Sequence, residues 1–207
     1  MSVPLSDVMS FPKLTQATFL LFQVFASEQI QSLSDIDPQV FSFMMESCIE
    51  GLKSSDGSIS AQVAISIDYI FTFIVNQKLV HIPLKREHYL IGRCAENPNI
   101  ITFIMRQLLE LVLFDDHQSM WTFTRALLPL ILANKEYYEY YITELVKGQL
   151  PELQATLQAN VIKIMDNVEV NLHPRNRDKF TQQLINFRRE VTNTMTLIHP
   201  TILATVA

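Results

Sequence analysis

HQSMWTFTRALLPLILAN, residues 117–134, reads as one apolar helix with a proline inside it. Pro129 has no amide proton and its ring crowds the carbonyl four residues back, so a helix through it bends and the freed carbonyl needs neighbours. Such a helix requires packed layers on both sides. The rest of the chain supplies amphipathic helix after amphipathic helix, and no stretch reads as a strand, a phosphate loop or a nucleophile. The expectation is binding rather than chemistry.

Working outward, Asn97-Pro98 is a cap followed by a first-turn proline. The helix after it places Ile101, Ile104, Leu108, Leu111 and Val112 inward and Thr102, Arg106 and Glu110 outward. Asp115 and Asp116 then favour the positive end of the proline-bearing helix. Downstream, Lys135 to Lys147 carries Tyr137, Tyr138, Tyr140 and Tyr141 and is ended by Gly148. Pro151 opens a helix expected to reach about Val170, and Pro174 opens the last, which continues through FTQQLINFRREVTNTM.

Towards the N-terminus, Pro12 to Glu28 is helical in composition but apolar almost all round, through Phe19, Leu20, Leu21, Phe22, Val24 and Phe25. A helix like that is covered on more than one side. Asp37-Pro38 starts a helix with the stripe Val40, Phe41, Met44, Met45, Cys48 and Ile49, running to Gly51. After the turn Asp56-Gly57-Ser58, with Ser58 as the expected cap, a long helix runs from Ile59 to about Leu79. From Val80 to Glu96 the pattern weakens, and residues 80–96 are expected to be a loop or insertion.

Eight long helices in succession form about four antiparallel pairs, all-α, and residues 1–207 form a single segment. The spacing of alternate helix starts brackets a two-helix repeat of roughly 40 to 47 residues, with a compact helical bundle as the other architecture. The last helix shows one narrow stripe, Phe180, Leu184, Phe187, Val191 and Met195, with Arg177, Lys179, Gln183, Arg188, Arg189 and Asn193 around the rest, as a capping helix needs. The first has no such polar face. The chain is therefore expected to be the C-terminal piece of a longer solenoid.

Composition agrees. Of 207 residues 48% are hydrophobic, which excludes disorder, and only four are glycine, too few for sheet-rich or nucleotide-binding folds. The formal charge of -5 disfavours a general nucleic-acid binder and leaves protein partners open. Cys48 and Cys94 sit in no spaced framework and read as free thiols of a reducing compartment. The first ten residues carry no base, so no secretory signal is read there. Gln62, Asp68, Arg106 and Glu110 interrupt the apolar segments, so no membrane insertion is expected.

At the last helix, Asn176-Arg177-Asp178-Lys179-Phe180-Thr181-Gln182 followed by Phe187-Arg188-Arg189-Glu190-Val191 closely resembles the extreme C-terminus of the exportin-7 group within the karyopherin-β family. The likeness extends backwards through Trp121, Arg125 and Leu127 to Leu132, then Glu50-Gly51-Leu52 and Pro12-Lys13-Leu14. The resemblance implies an α-solenoid of HEAT-like helix pairs in an exportin, a receptor that binds protein cargo together with Ran-GTP. Such a receptor passes nucleoporins in the pore and shuttles between nucleus and cytoplasm. It places the principal Ran-GTP contact in N-terminal repeats that are not part of this chain, leaving cargo or Ran-flanking surface here. The resemblance implies no cofactor. The alternative is a stand-alone helical-repeat interaction scaffold without transport.

In two-helix solenoids the second helix of each pair lines the concave face, here the helices from Pro38, Pro98, Lys135 and Pro174. The partner-facing candidates are then Glu46, Glu50, Arg106, Glu110, Tyr138, Tyr141, Arg188 and Arg189. Against this, Arg106 and Glu110 stand at pairing distance on one helix, and tyrosines pack in cores more often than they anchor interfaces. His81, His88, Cys94 and His117 lack ligand spacing, so no metal site is expected. Asp115, Asp116 and His117 suit an acidic helix start better than acid–base catalysis, and no enzyme motif is present. The basic group Arg175, Arg177, Lys179, Arg188 and Arg189 is diluted by Asp178 and Glu190 and reads as a solvated capping face. A helical-bundle enzyme or ligand-binding protein is the remaining reading, and a closed apolar pocket would support it.

Overall fold

A computed structural model describes residues 5–80, 98–115 and 119–200, and these contain helices and no strand. The helices are α1 (Leu5–Met9), α2 (Pro12–Glu28), α3 (Pro38–Leu52), α4 (Gly57–Val80), α5 (Pro98–Phe114), α6 (Met120–Ala133), α7 (Lys135–Lys147), α8 (Pro151–Ile162) and α9 (Pro174–Thr194). Short 3-10 turns follow α2 at Ile30–Ser34 and α8 at Lys163–Met165. The expected loop beyond Val80, together with His81, His88, Cys94, Asp116 and His117, lies outside the described residues.

Local chemistry sets the boundaries. Prolines 12, 38, 98, 151 and 174 each occupy the first position of a helix, where the missing amide proton costs nothing. The Asp37 carboxylate accepts from the Gln39 amide at 2.8 Å, and the Asn134 side chain accepts from the Tyr137 amide at 3.1 Å. At α4 the cap is Asp56, whose Oδ1 accepts from the Ser58 amide at 2.9 Å and the Ser58 hydroxyl at 2.6 Å. This corrects the expected Ser58 cap: a carboxylate takes both donors and suits the helix dipole better than a hydroxyl does. The helix from Pro151 also stops earlier than expected, at Ile162, because the chain tightens into a 3-10 turn and then adopts a left-handed residue at Asn167, φ 52°.

The helices stack in two layers. In one, α4 packs between α2 and α6; in the other, α5 packs between α3 and α7, and α3–α4 and α5–α6 contacts join the layers. α6 is the hub, touching α4, α5, α7 and α9. Its buried face is Phe123, Thr124, Ala126, Leu127, Leu128, Pro129, Leu130 and Ile131, so the proline lies in the core as the apolar stretch demands. Gly57–Gln77 of α4 is long and apolar enough to cross a membrane by length and composition, but more than half of it is buried here against neighbouring helices. The last helix departs from simple alternation. α9 lies on α6 rather than extending the layer of α3, α5 and α7.

Two details of this packing differ from a reading of α9 as a solvated cap. Arg177 is 9% exposed, and its guanidinium bonds the Asp68 carboxylate of α4 and donates to Thr72 Oγ1 at 2.8 Å. Arg125 of α6 meets Asp178 at 2.9 Å. At the other end, α2 buries Thr15, Phe19 and Ala26, while Leu14, Leu20, Leu21 and Val24, with Phe11 just before the helix, stay 46–63% exposed, so α2 is covered on one side rather than several.

Gly51, inside α3, marks the tightest three-helix contact. A Cβ there would stand 2.6 Å from Phe19 Cζ of α2 and 2.7 Å from Val63 Cγ2 of α4, and both side chains are immobilised at 1% and 0% exposure. Glycine in a helix interior normally costs about 1 kcal/mol against alanine, so packing is what requires it here. Gly51→Ala is expected to destabilise by about 1–3 kcal/mol through overpacking, in spite of its better helix propensity. A urea midpoint for the variant at or above that of the parent would contradict the contact.

Candidate functional site

The candidate residues do not converge on one place. α3 presents Glu46 and Glu50 to solvent, and Glu50 holds Lys53 at 2.7 Å. On α5, the Arg106 Nε donates to Glu110 at 2.8 Å with both side chains about a quarter exposed, and the hydrogen bond to Glu110 raises the guanidinium pKa further. Between these helices runs a groove of about 500 Å³ lined by Lys53, Ser54, Ser55, Gln107, Glu110, Leu111 and Asp115. It brings Glu110 close to Lys53, the partner of Glu50, while Arg106 pairs with Glu110 and Glu46 lies one turn before Glu50 on α3, outside the groove lining. The charges in it are mostly neutralised by neighbours, an arrangement that suits the polar rim of a protein contact more than a substrate pocket.

Tyr138 and Tyr141 are 6% and 0% exposed and belong to the core of α7 rather than to a surface. The physical reason is the period: residues 137, 138, 141, 142 and 145 form the one apolar stripe available to a helix rich in lysine and glutamate. Arg188 and Arg189 sit on α9; Arg188 is half-buried and donates to the Asp115 carbonyl at the end of α5, and Arg189 donates to Asn186 Oδ1 at 3.2 Å. Among the described residues, no group of three or more His, Cys, Asp or Glu stands close enough to hold a metal.

Burial perturbs four groups in the same direction. It pushes the Cys48 thiol up to about 12 and the Tyr137 phenol up to about 12, and it raises Tyr138 and Tyr141 above the usual phenol range. The unfolded chain releases these protons from about pH 9 upward while the folded chain retains them. The unfolded state then binds fewer protons, so stability falls as pH rises, by about 1.4 kcal/mol per unit for each such group until its folded pKa is passed. The thermal midpoint is expected to drop between pH 9 and 11. A midpoint independent of pH over that interval would show that these groups are not desolvated.

Sequence reasoning missed two features. Asp68 and Arg177 join α4 to α9, and the signal was available: Arg177 lies in register with Phe180, Leu184 and Val191, at the head of the buried stripe. Gln149, 4% exposed, fastens the segment after α9, and nothing in its neighbourhood announces that role.

Antiparallel helix pairs stacked in two layers, with a paired-charge groove along one of them, define an α-solenoid of helical repeats. The chain is homologous to a C-terminal segment of the proteins named exportin-7 and Ran-binding proteins 16 and 17. Exportin-7-B of Xenopus laevis is 30% identical over 201 residues, which cover 94% of this chain and 18% of that protein. Ran-binding protein 17 of Homo sapiens is 31% identical over 199 residues, covering 92% and 18%. Exportin-7 of Dictyostelium discoideum is 24% identical over 194 residues, covering 92% and 19%. The chain spans less than a fifth of the length of these relatives. No protein-family model and no solved structure matches it.

Proposed function

We propose that this chain works as the C-terminal HEAT-type segment of a nuclear export receptor that binds protein cargo with Ran-GTP and shuttles between nucleus and cytoplasm. The observation that carries the reading is the 30–31% identity, spread over more than nine-tenths of the chain, to proteins named for export and for Ran binding. The exposed apolar side of α2 supports it, since a stacked repeat in a longer array would bury such a face. In this reading the chain is no enzyme, needs no cofactor or nucleic acid, and leaves the main Ran-GTP contact to other repeats. The paired-charge face of α3 and α5 supplies cargo or Ran-flanking surface, with Glu46, Glu50, Arg106 and Glu110 on these two helices and Arg188 and Arg189 on α9. Nucleoporin contacts belong to the receptor as a whole.

The test is precipitation of the endogenous polypeptide from source cells with an antibody raised against this chain, with Ran supplied in its GTP or GDP form. The expected product is several-fold heavier than 23.8 kDa and retains partner proteins with the GTP form only. A polypeptide near 23.8 kDa whose partners ignore the Ran nucleotide would make the chain a stand-alone scaffold instead.

A further inference from the structure

After α9 the chain does not leave the surface. Met195 turns out of the helix into an extended conformation, and residues 195–200 continue without helix across the ends of α5 and α7. They carry the two-residue alternation of an extended segment lying on a surface: Met195 and Leu197 pack against the core, while Thr196 and Ile198 face solvent. Three contacts hold the far end. The Gln149 side chain takes the main chain of Ile198 in both directions, Nε2 donating to its carbonyl at 2.8 Å and Oε1 accepting from its amide at 2.8 Å. The His199 ring lies flat on Phe114, the last residue of α5, with centroids 3.7 Å apart and planes inclined 17°. Pro200 is buried beside Gly148, which follows α7.

Gln149 is the joint between α7 and α8. Its main-chain amide donates to the Val146 carbonyl at 3.1 Å, its carbonyl accepts from Gln154 of α8 at 2.9 Å, and Nε2 also donates to the Leu145 carbonyl at 2.7 Å. Being 4% exposed, its side-chain amide would keep an unmet acceptor and an unmet proton without Ile198, so the corner needs the tail. The helices around it do not supply the same tie. α5 packs mainly on α3 and α6 and only marginally on α7, and α9 lies chiefly on α6. The tail thus bridges helix ends that their own side chains join weakly. Its hold is moderate, because Ile198 is 47% exposed and the entropy of ordering six residues opposes the contacts.

We propose that residues 195–200 are a releasable clasp built into the fold. Seated, they lock the α7–α8 corner to the end of α5 and to α9. Released, they lift off as one unit without unfolding a helix, and the corner is freed from the end of α5.

The test is hydrogen exchange on the full chain, resolved amide by amide. In the parent the Ile198 amide is expected to exchange about tenfold or more slower than an unprotected amide and about tenfold or more faster than the core amides of α6, as a local opening requires. Gln149→Ala, which touches α7 and the tail, should speed the last-turn amides of α5 by about tenfold, the effect of losing a net hydrogen bond or two from the clasp. His199→Ala removes only the ring on Phe114, yet it should speed the Ile198 amide and the last turn of α7 by about threefold to tenfold. Its exposed ring makes it the variant that decides if Gln149→Ala disturbs the corner itself. Exchange in α2 and α3 should not change. Acceleration confined to the helix end that each substitution touches would mean two separate contacts and no clasp. An Ile198 amide as slow as the α6 core would make the tail a fixed part of the fold, and one at the unprotected rate would mean that it is not seated; either overturns the proposal.

Discussion

Arg177→Ala is expected to lower the stability of the chain by about 3 kcal/mol, the lower end of the range for breaking a buried pair. The Arg177 side chain is 11% exposed, and its guanidinium spans from α9 to Asp68 and Thr72 of α4, while the Thr72 hydroxyl donates to the same carboxylate at 3.0 Å. Removing the arginine strands a carboxylate that has given up three-quarters of its hydration, being 23% exposed. That residual exposure is the reason for the lower end. In a domain of this size the loss corresponds to about 6–12 °C in thermal midpoint. The sharper test is the pair: Asp68→Leu with Arg177→Met removes both charges, and the double variant should be more stable than Arg177→Ala alone. A double variant as unstable as the single would mean that shape, not charge, ties α9 down.

Phe123→Ala is expected to cost about 3–5 kcal/mol, as for a fully buried aromatic whose site cannot collapse. Phe123 is 0% exposed at the start of the helix that touches α4, α5, α7 and α9. In a linear array a defect is felt by nearest neighbours only, but a helix with four neighbours passes it to both layers. Hydrogen exchange should therefore accelerate through α4, α5, α6 and α9 together. Leu157→Ala makes the contrast: Leu157 is also 0% exposed, yet among the described residues α8 packs chiefly on α7, α9 and the 3-10 turn after it. Its cost, about 2–5 kcal/mol, should appear as local opening confined to that end. Identical exchange patterns in the two variants would contradict the hub.

The helices from Pro12, Pro38, Pro98, Pro151 and Pro174 were legible because two independent signals coincided at their starts. A proline fixes φ where a missing donor is free, and an apolar stripe begins within a turn of it, as at Pro38 with Phe41 and Met44. Ends were harder. Nothing in the composition of residues 151–170 forbids a longer helix, and the left-handed turn at Asn167 is held by contacts distant in sequence, Lys179 donating to its carbonyl at 3.0 Å. The candidate site was legible only in part. Glu50, Arg106 and Glu110 point outward because outward positions of an amphipathic helix are set by its period. Tyr138 and Tyr141 instead are buried, since the phenols share with Ile142, Leu145 and Val146 the one stripe by which an otherwise charged helix reaches the core. For Arg188 and Arg189 the period reveals the helix's faces but not which neighbours they meet; α9 is tied to α6 through Arg125–Asp178 and to α4 through Asp68–Arg177, pairings whose partners no local pattern names.

Asn134 closes α6 and opens α7 at once, its amide donating to the Leu130 carbonyl at 2.9 Å and its side chain accepting from Tyr137. With one residue doing both jobs, the joint is an elbow without slack. A tilt imposed on α7 becomes a tilt of α6, and through it of α4 and α9, instead of being taken up by a loop. When the array is stretched or tightened, the middle pair should turn as one lever.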